Sequence, residues 1–243
     1  MYERHLTREL RIQNATHNHA KAMGVLQKRV FPSLSPSELL TADHFAEHIR
    51  LFPRGQFVAL LNDEVIGSTS TFRTQFPNLQ HKFLEVTGNL SLSTHDENGD
   101  WLYGFDLGVD PDFRGLGLGR LLYRARSEMA ERLGLKGQVI VGMPSGFGKV
   151  MGKMSFDDYY KQIITKAVFD PTVSMQMKMG FNPCGIIPEY LEDPKCGNFG
   201  VMMTLPTDQK VAEPKLSSDQ ITAKIIESLA TRGSPNSTLV AAL

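Results

Sequence analysis

Apolar and polar residues follow two distinguishable rhythms along this chain. Leu10 to Asn14 (LRIQN) alternates residue by residue, the period of a strand. From Thr16, a candidate N-cap, the spacing turns helical. Ala20, Met23, Leu26 and Val30 share a face until Pro32 ends the run. A Ser/Pro-rich break, Ser33 to Ser37, precedes a second helical pattern with Leu39, Leu40, Phe45 and Ile49, closed by Pro53. Phe57 to Leu61 (FVALL) and the run from Val65 (VIGSTSTF) predict two strands, joined at Asn62-Asp63 by hairpin turn chemistry. Pro77 to Asp100 keeps no sustained period and reads as a long loop or a short ribbon, a feature that is usually functional or mobile.

Regularity returns at Trp101. Trp101 to Val109 predicts a strand, Pro111 closes it, and a glycine-rich turn opens a strong helix. That helix carries Leu118, Leu121, Leu122, Ala125, Met129 and Leu133 on one stripe, with Arg120, Arg124, Glu128, Glu131 and Arg132 mainly elsewhere, and Gly134 ends it. Gln138 to Met143 predicts a buried strand, Phe156 to Lys166 a helix, and Pro171 to Met179 a further helical turn or two. Two short strands, around Cys184 to Ile187 and Gly200 to Leu205, complete a domain over residues 9–206. Residues 207–243 form an appendage. Asp208 to Pro214 reads as polar linker, and Ser217-x-x-Gln220 is a capping box. The helix it opens places Ile221, Ile225, Ile226 and Leu229 on one face, which must dock on this chain or on a partner. Ser234 to Leu243 reads as a tail.

Composition narrows the picture. An apolar share of 41% and a charged share of 21% exclude a disordered or fibrous chain. Twenty-six basic residues balance 26 acidic ones, so no global field attracts nucleic acid or a membrane surface. Two cysteines, Cys184 and Cys196, make neither a disulfide framework nor a metal site. No signal-peptide pattern occurs, and no apolar run approaches the roughly 20 residues of a membrane span. A soluble, cytoplasmic protein without a metal is the expectation.

The chemistry concentrates at Arg114-Gly-Leu-Gly-Leu-Gly119. Glycines at alternate positions where a strand turns into a helix let backbone N–H groups point into one concavity, and the helix N-terminus adds partial positive charge. This is a pyrophosphate cradle, with Arg114 as a nearby cation. A P-loop needs Lys-Ser/Thr after its last glycine, where Arg120-Leu121 stands. A dinucleotide fingerprint counted from Gly115 needs glycine at Arg120, and wants the turn after the first strand. What remains is R-x-x-G-x-G preceded by V-x-P, standing here as Val109-Asp110-Pro111-Asp112-Phe113-Arg114-Gly115-Leu116-Gly117-Leu118-Gly119.

Those residues resemble the CoA-binding segment of the GNAT superfamily of N-acyltransferases. The element order read above, β-α-α-β-β-β-α-β-α-β-β, is also that family's order. The resemblance therefore covers roughly Leu10 to Pro206. Further runs are similar to a subgroup often fused to a nitrilase-type amidohydrolase domain: Tyr103-Gly-x-Asp106, Leu133-x-Leu-Lys-Gly137, Asp170-Pro-Thr172, Gly180-Phe181 and Ile187-Pro-x-Tyr190-Leu. On this reading the chain is the acetyltransferase half standing alone. The resemblance implies an α/β (α+β) fold with a central mixed, mostly antiparallel sheet of about seven strands, splayed at the fourth and fifth and flanked by helices. It also implies acetyl-CoA as cosubstrate and direct attack by an amine in a ternary complex. Backbone groups of Leu107, Gly108 and Val109 would pair with the pantetheine arm, with an N–H near Leu107 facing the oxyanion. Amides of Arg114, Gly115, Leu116, Gly117, Leu118 and Gly119 would hold the pyrophosphate. Gly142 and Met143 would line the other side of the splay.

The family's tyrosine acid, four residues before the glycine of Gly180-Phe181, is replaced by Gln176, which cannot supply a proton at neutral pH. Tyr159, Tyr160 and Tyr190 are spatial substitutes to consider. A base must deprotonate an ammonium of pKa about 10.4. Asp106 is the first candidate, Tyr103 a competitor, and His95 a third. Strand alternation sets Asp106 and Tyr103 on opposite faces unless a bulge intervenes. The acceptor is expected to be a small-molecule or peptide amine, with a homodimer open. Two other readings stand beside transfer of acetyl. One is an acyl-CoA-binding regulatory or assembly module, motivated by Gln176. The other is use of a longer acyl chain, which Met175, Met177 and Met179 would accommodate.

Overall fold

The alternating runs become seven strands of one sheet: β1 (Leu10–Asn14), β2 (Gln56–Leu61), β3 (Glu64–Thr74), β4 (Trp101–Val109), β5 (Gly137–Gly142), β6 (Asn182–Ile187) and β7 (Gly200–Pro206). The computed structural model describes residues 9–209, 211–212 and 215–231. The tail Ser234 to Leu243 and the linker residues Lys210, Glu213 and Pro214 lie outside the described residues. Strand order is β1-β2-β3-β4-β5-β7-β6, antiparallel throughout except for β4 beside β5. Every residue of β2 is buried because the strand is interior and covered on both faces. Asn62 and Asp63 take φ of 50° and 68°, the two left-handed residues a tight hairpin between twisted strands requires.

Among the described residues seven α-helices flank the sheet: α1 (Ala20–Val30), α2 (Ala42–Leu51), α3 (Phe83–Val86), α4 (Leu118–Arg132), α5 (Phe156–Ile164), α6 (Val173–Lys178) and α7 (Ser218–Thr231). On one face Met23 of α1 and Phe45 of α2 pack with Phe72, Tyr103 and Val139 of the sheet. Helix α2 starts after Leu40 rather than including it. The Thr41 hydroxyl accepts the His44 N–H at 3.3 Å and fixes the N-terminus there. The opposite face is covered by α4, whose Leu118, Leu122 and Met129 meet Leu102, Ala59 and Ile66. A third cluster joins α5 and α6 to β5 and β7 through Tyr159, Val173, Ile140 and Met203.

The apolar face of α7 docks on this chain. Ser217 and Gln220 exchange the two capping bonds at 3.2 and 2.9 Å. Ile221, Ile225 and Leu229 then bury in the α4 layer, each contributing about 1.5–3 kcal/mol.

The stretch Pro77 to Asp100 is neither a structureless loop nor a ribbon. Helix α3 buries Phe83, and the turns that follow it bury Leu90 and Leu92. Asn89, Leu90 and Leu92 hold φ of 53°, 66° and 57°, and the Leu90 carbonyl is bonded by His48 Nε2 at 2.6 Å. Each apolar residue enters the core from its own turn, so no period marks them.

One irregularity organises the rest. Strand β3 pairs Ser70 with Asp106 and Thr71 with Gly104, so Phe105 is an extra residue in β4. Parallel pairing of β4 with β5 runs from Trp101↔Gly137 to Gly104↔Ile140 and stops. Beyond it the strands diverge, β5 staying with β7 to Gly142. The bulge also changes the phase of side chains. Before it, Tyr103 faces the α1–α2 layer and Gly104 faces Arg126 of α4. After it, Asp106 faces Gln27 of α1. Asp106 and Tyr103 therefore lie on the same face, against the expectation from simple alternation.

Candidate functional site

The divergence of β4 and β5 opens a cleft of about 960 Å³ that reaches from the α4 N-terminus through the sheet to the α1–α2 side. At its outer end, Gly115 and Gly117 take φ of 79° and 99°, which L side chains rarely adopt. Gly117 is the α4 N-cap, and Arg120 and Leu121 N–H groups return to its carbonyl at 3.0 and 3.2 Å. The amides preceding them in the first turn have no partner within the helix. A Cβ on Gly115 would meet nothing within 4 Å, while one on Gly117 would meet only Ile221 of α7, at 3.4 Å. The C-terminal helix thus roofs the cradle. Arg114 donates to the carbonyls of Val109 and Val30 at 3.1 and 3.3 Å, tying the turn to β4 and to the end of α1.

Along the cleft wall, Asp110 N–H bonds the Ile66 carbonyl of β3 at 2.9 Å. Ladder alternation then directs the N–H groups of Val109 and Leu107 to the opposite, open edge of β4. Leu107, Val109, Arg114 to Gly119 and Met143 all line the cleft. Gly108 does not, since its missing side chain faces Val30 at 3.2 Å.

At the vertex lies a buried polar cluster. Asp106 is 6% exposed; its Oδ1 accepts from Gln27 Nε2 at 2.6 Å and its Oδ2 has no partner. Burial pushes this carboxyl up to about 7, against the opposing Gln27 bond and Arg126 charge. Arg126 is 1% exposed and lies 5.1 Å over the Tyr123 ring. Its Nη1 makes a long contact of 3.4 Å to the Thr69 hydroxyl, whereas Nε and Nη2 bond nothing. Burial lowers its guanidinium to about 10. Gln176 reaches in from α6, and its Oε1 occupies the place where a Cβ on Gly142 would come within 2.1 Å. Its amide donates to the Tyr123 hydroxyl at 2.9 Å.

Three of the candidate catalytic positions are resolved differently. Gln176 lies at the splay against Gly142, with Tyr123 of α4 bonded to it. The Tyr103 hydroxyl bonds His81 Nε2 at 2.8 Å and Tyr190 at 3.1 Å, the ring stacks on Phe72, and the side chain is shut inside the core. It does not line the cleft; Tyr190 does. His95 accepts the Arg73 N–H at 3.1 Å and stacks on Phe52, away from the cleft lining. The sequence reading missed Tyr123, Arg126 and Gln27. The available signal was the pair Tyr123 and Arg126, three apart on the helix that the cradle opens and so on one side of it.

Asp170, fully buried, anchors the far wall. Its carboxylate accepts from Gly146 N–H, the Tyr159 hydroxyl, Thr172 N–H and Val173 N–H at 2.8 to 3.0 Å. Tyr159 is thereby committed away from the vertex. Both cysteines are free thiols, Cys184 exposed and Cys196 buried. Among the described residues no cluster of three metal-ligating side chains occurs, and no helix is long and apolar enough to cross a membrane.

The sequence profile of the Acetyltransferase (GNAT) family matches residues 21–144. The uncharacterized N-acetyltransferase YkwB of Bacillus subtilis is 32% identical over 197 residues, covering 80% of this chain and 87% of YkwB. The probable hydrolase YhcX of the same organism is 33% identical over 170 residues. That match takes in 69% of this chain and only 33% of YhcX, so the chain corresponds to about a third of that relative. Among solved structures, the GNAT-like decarboxylase GphF in complex with isobutyryl-CoA superposes with a TM-score of 0.69. It is 25% identical, with 81% of this chain and 99% of GphF covered.

Proposed function

Because the chain belongs to the GNAT acetyltransferase family, we propose that it is an acyl-CoA-dependent N-acyltransferase, with acetyl as the simplest group carried. The acceptor is a small-molecule or peptide amine that attacks the thioester directly. The observation that carries this reading is Asp106: a carboxyl at the vertex with one free oxygen and a pKa raised to about 7. Such a group is ionised often enough near neutral pH to take a proton, yet basic enough to hold it. Nearly buried Glu38 and Asp193 on the α1–α2 side of the cleft suit an approaching ammonium.

In this mechanism the cradle amides bind the pyrophosphate and the open edge of β4 pairs with the pantetheine arm. The ammonium loses one proton to Asp106 Oδ2, the freed amine nitrogen bonds the carbonyl carbon, and the second nitrogen proton passes to solvent as the intermediate collapses. The Leu107 N–H receives the oxyanion. The carbon–sulfur bond then breaks, and the Tyr123 hydroxyl, oriented by Gln176, gives its proton to the departing thiolate and recovers one from solvent. Burial raises the Tyr123 hydroxyl above its ordinary range, which keeps it protonated until that moment. Holding both reactants in one cleft supplies much of the acceleration.

A panel of amines with acetyl-CoA, read by release of free CoA, tests the proposal. Turnover that vanishes in Asp106→Asn while acetyl-CoA still binds supports it. Tight acetyl-CoA binding with no turnover on any amine would instead favour a CoA-binding module, the reading that Gln176 motivates.

A further inference from the structure

Arg126 is not needed by the steps above, yet its position is unusual. It projects from α4 into the cleft at its vertex. A Cβ on Gly104, the last residue of β4 that still pairs with β5, would come within 1.0 Å of Arg126 Nη2. Glycine at this position leaves room for the guanidinium under the vertex. The group is 1% exposed, lines the cleft, and carries two nitrogens with no hydrogen-bond partner. A buried cation left half-bonded is costly, and its free N–H groups face a cleft that a ligand can enter. The charged and ionisable groups that bear on it are Tyr123 and Asp106. The Tyr123 hydroxyl stays neutral, and Asp106, at about 7, offsets the guanidinium only in part. A planar guanidinium with adjacent free N–H groups fits a carboxylate through two parallel bonds.

We propose that Arg126 is the receptor for a carboxylate at the end of the acyl chain, so that the cleft selects acyl-CoA thioesters of short dicarboxylic acids. The chain would run from the thioester at the open edge of β4 into the vertex and end on Nε and Nη2. This rests on the reading that the cleft holds an acyl-CoA.

The experiment is calorimetric titration of the full chain with malonyl-CoA against isovaleryl-CoA, and succinyl-CoA against 4-methylpentanoyl-CoA. Each pair has the same branching and differs only in a terminal carboxylate versus a terminal isopropyl group. Acetyl-CoA serves as reference. At least one dicarboxylic thioester is expected to bind tenfold or more tightly than its uncharged isostere. Arg126→Met should remove that preference while leaving isovaleryl-CoA within about threefold, and Arg126→Lys should retain part of it. Acetyl-CoA binding with no preference in the wild type overturns the proposal and leaves the transferase reading intact. A preference that persists in Arg126→Met overturns the assignment to this residue. Failure of every thioester to bind overturns both. Should Arg126→Met not fold, the wild-type pairs and Arg126→Lys decide alone.

Discussion

Replacing Asp106 by asparagine should make the protein more stable at pH 8 while disabling it. The carboxyl is moved from 3.8 to about 7 chiefly by burial. A raised acid contributes stability that is fully present below 3.8 and is lost as pH rises through about 7. Each factor of ten in the protonation equilibrium is about 1.4 kcal/mol, so ionising Asp106 inside the fold costs about 4 kcal/mol by pH 8. Asparagine keeps an oxygen for the Gln27 amide, 2.6 Å away in the wild type, and never ionises. The variant should therefore gain about 2–4 kcal/mol at pH 8, equivalent to roughly 5–15 °C in melting temperature. Near pH 4 the two proteins should converge. Urea unfolding at both pH values measures the difference. Under acyl transfer, log kcat/KM of the wild type should climb to a plateau near pH 7, and the variant should lie about 100-fold or more lower with no such limb. A variant less stable than wild type at pH 8 would refute the reasoning, because it would mean that Asp106 is an ionised partner stabilising Arg126.

Three further perturbations separate the parts of the site. Gly117→Asp puts a negative charge and a Cβ at φ 99° into the cradle beside Ile221, and calorimetry should find acetyl-CoA binding abolished. Tyr123→Phe keeps the ring beneath Arg126 and removes the hydroxyl bonded to Gln176. Its kcat should fall about 10- to 100-fold with KM for acyl-CoA little changed, and an unaltered kcat would exclude the tyrosine as acid. Asp170→Ala strands four donors in the far wall, and urea denaturation should show a loss of about 3 kcal/mol or more.

Local signals were legible where one stretch of chain does one job. The Asn62-Asp63 hairpin, the strand Trp101–Val109 and the helix opened by Gly117 all stand where apolar period and turn chemistry set them. The Ser217 capping box likewise forms as written. Pro77 to Asp100 was illegible for the converse reason: Phe83, Leu90 and Leu92 reach the core from a short helix and the turns after it and share no period. Tyr103 and His95 were reasonable candidates by proximity along the chain. What decides their surroundings is the packing of His81, Tyr190, Phe72 and Phe52, which lie far from them in sequence.

The sequence by itself determined the order of the seven strands and the glycine-rich turn that opens α4, because glycine's conformational freedom and a helix N-terminus are properties of adjacent residues. The tertiary structure alone decided the vertex. One bulged residue, Phe105, shifts the phase of β4 and brings Asp106 to the face of Gln27. Packing then gathers Asp106 from β4, Tyr123 and Arg126 from α4 and Gln176 from α6 around it, and seats α7 over Gly117. No spacing rule links groups carried on separate elements. Their meeting is set by how helices and strands bury their apolar faces, and that is a property of the whole fold.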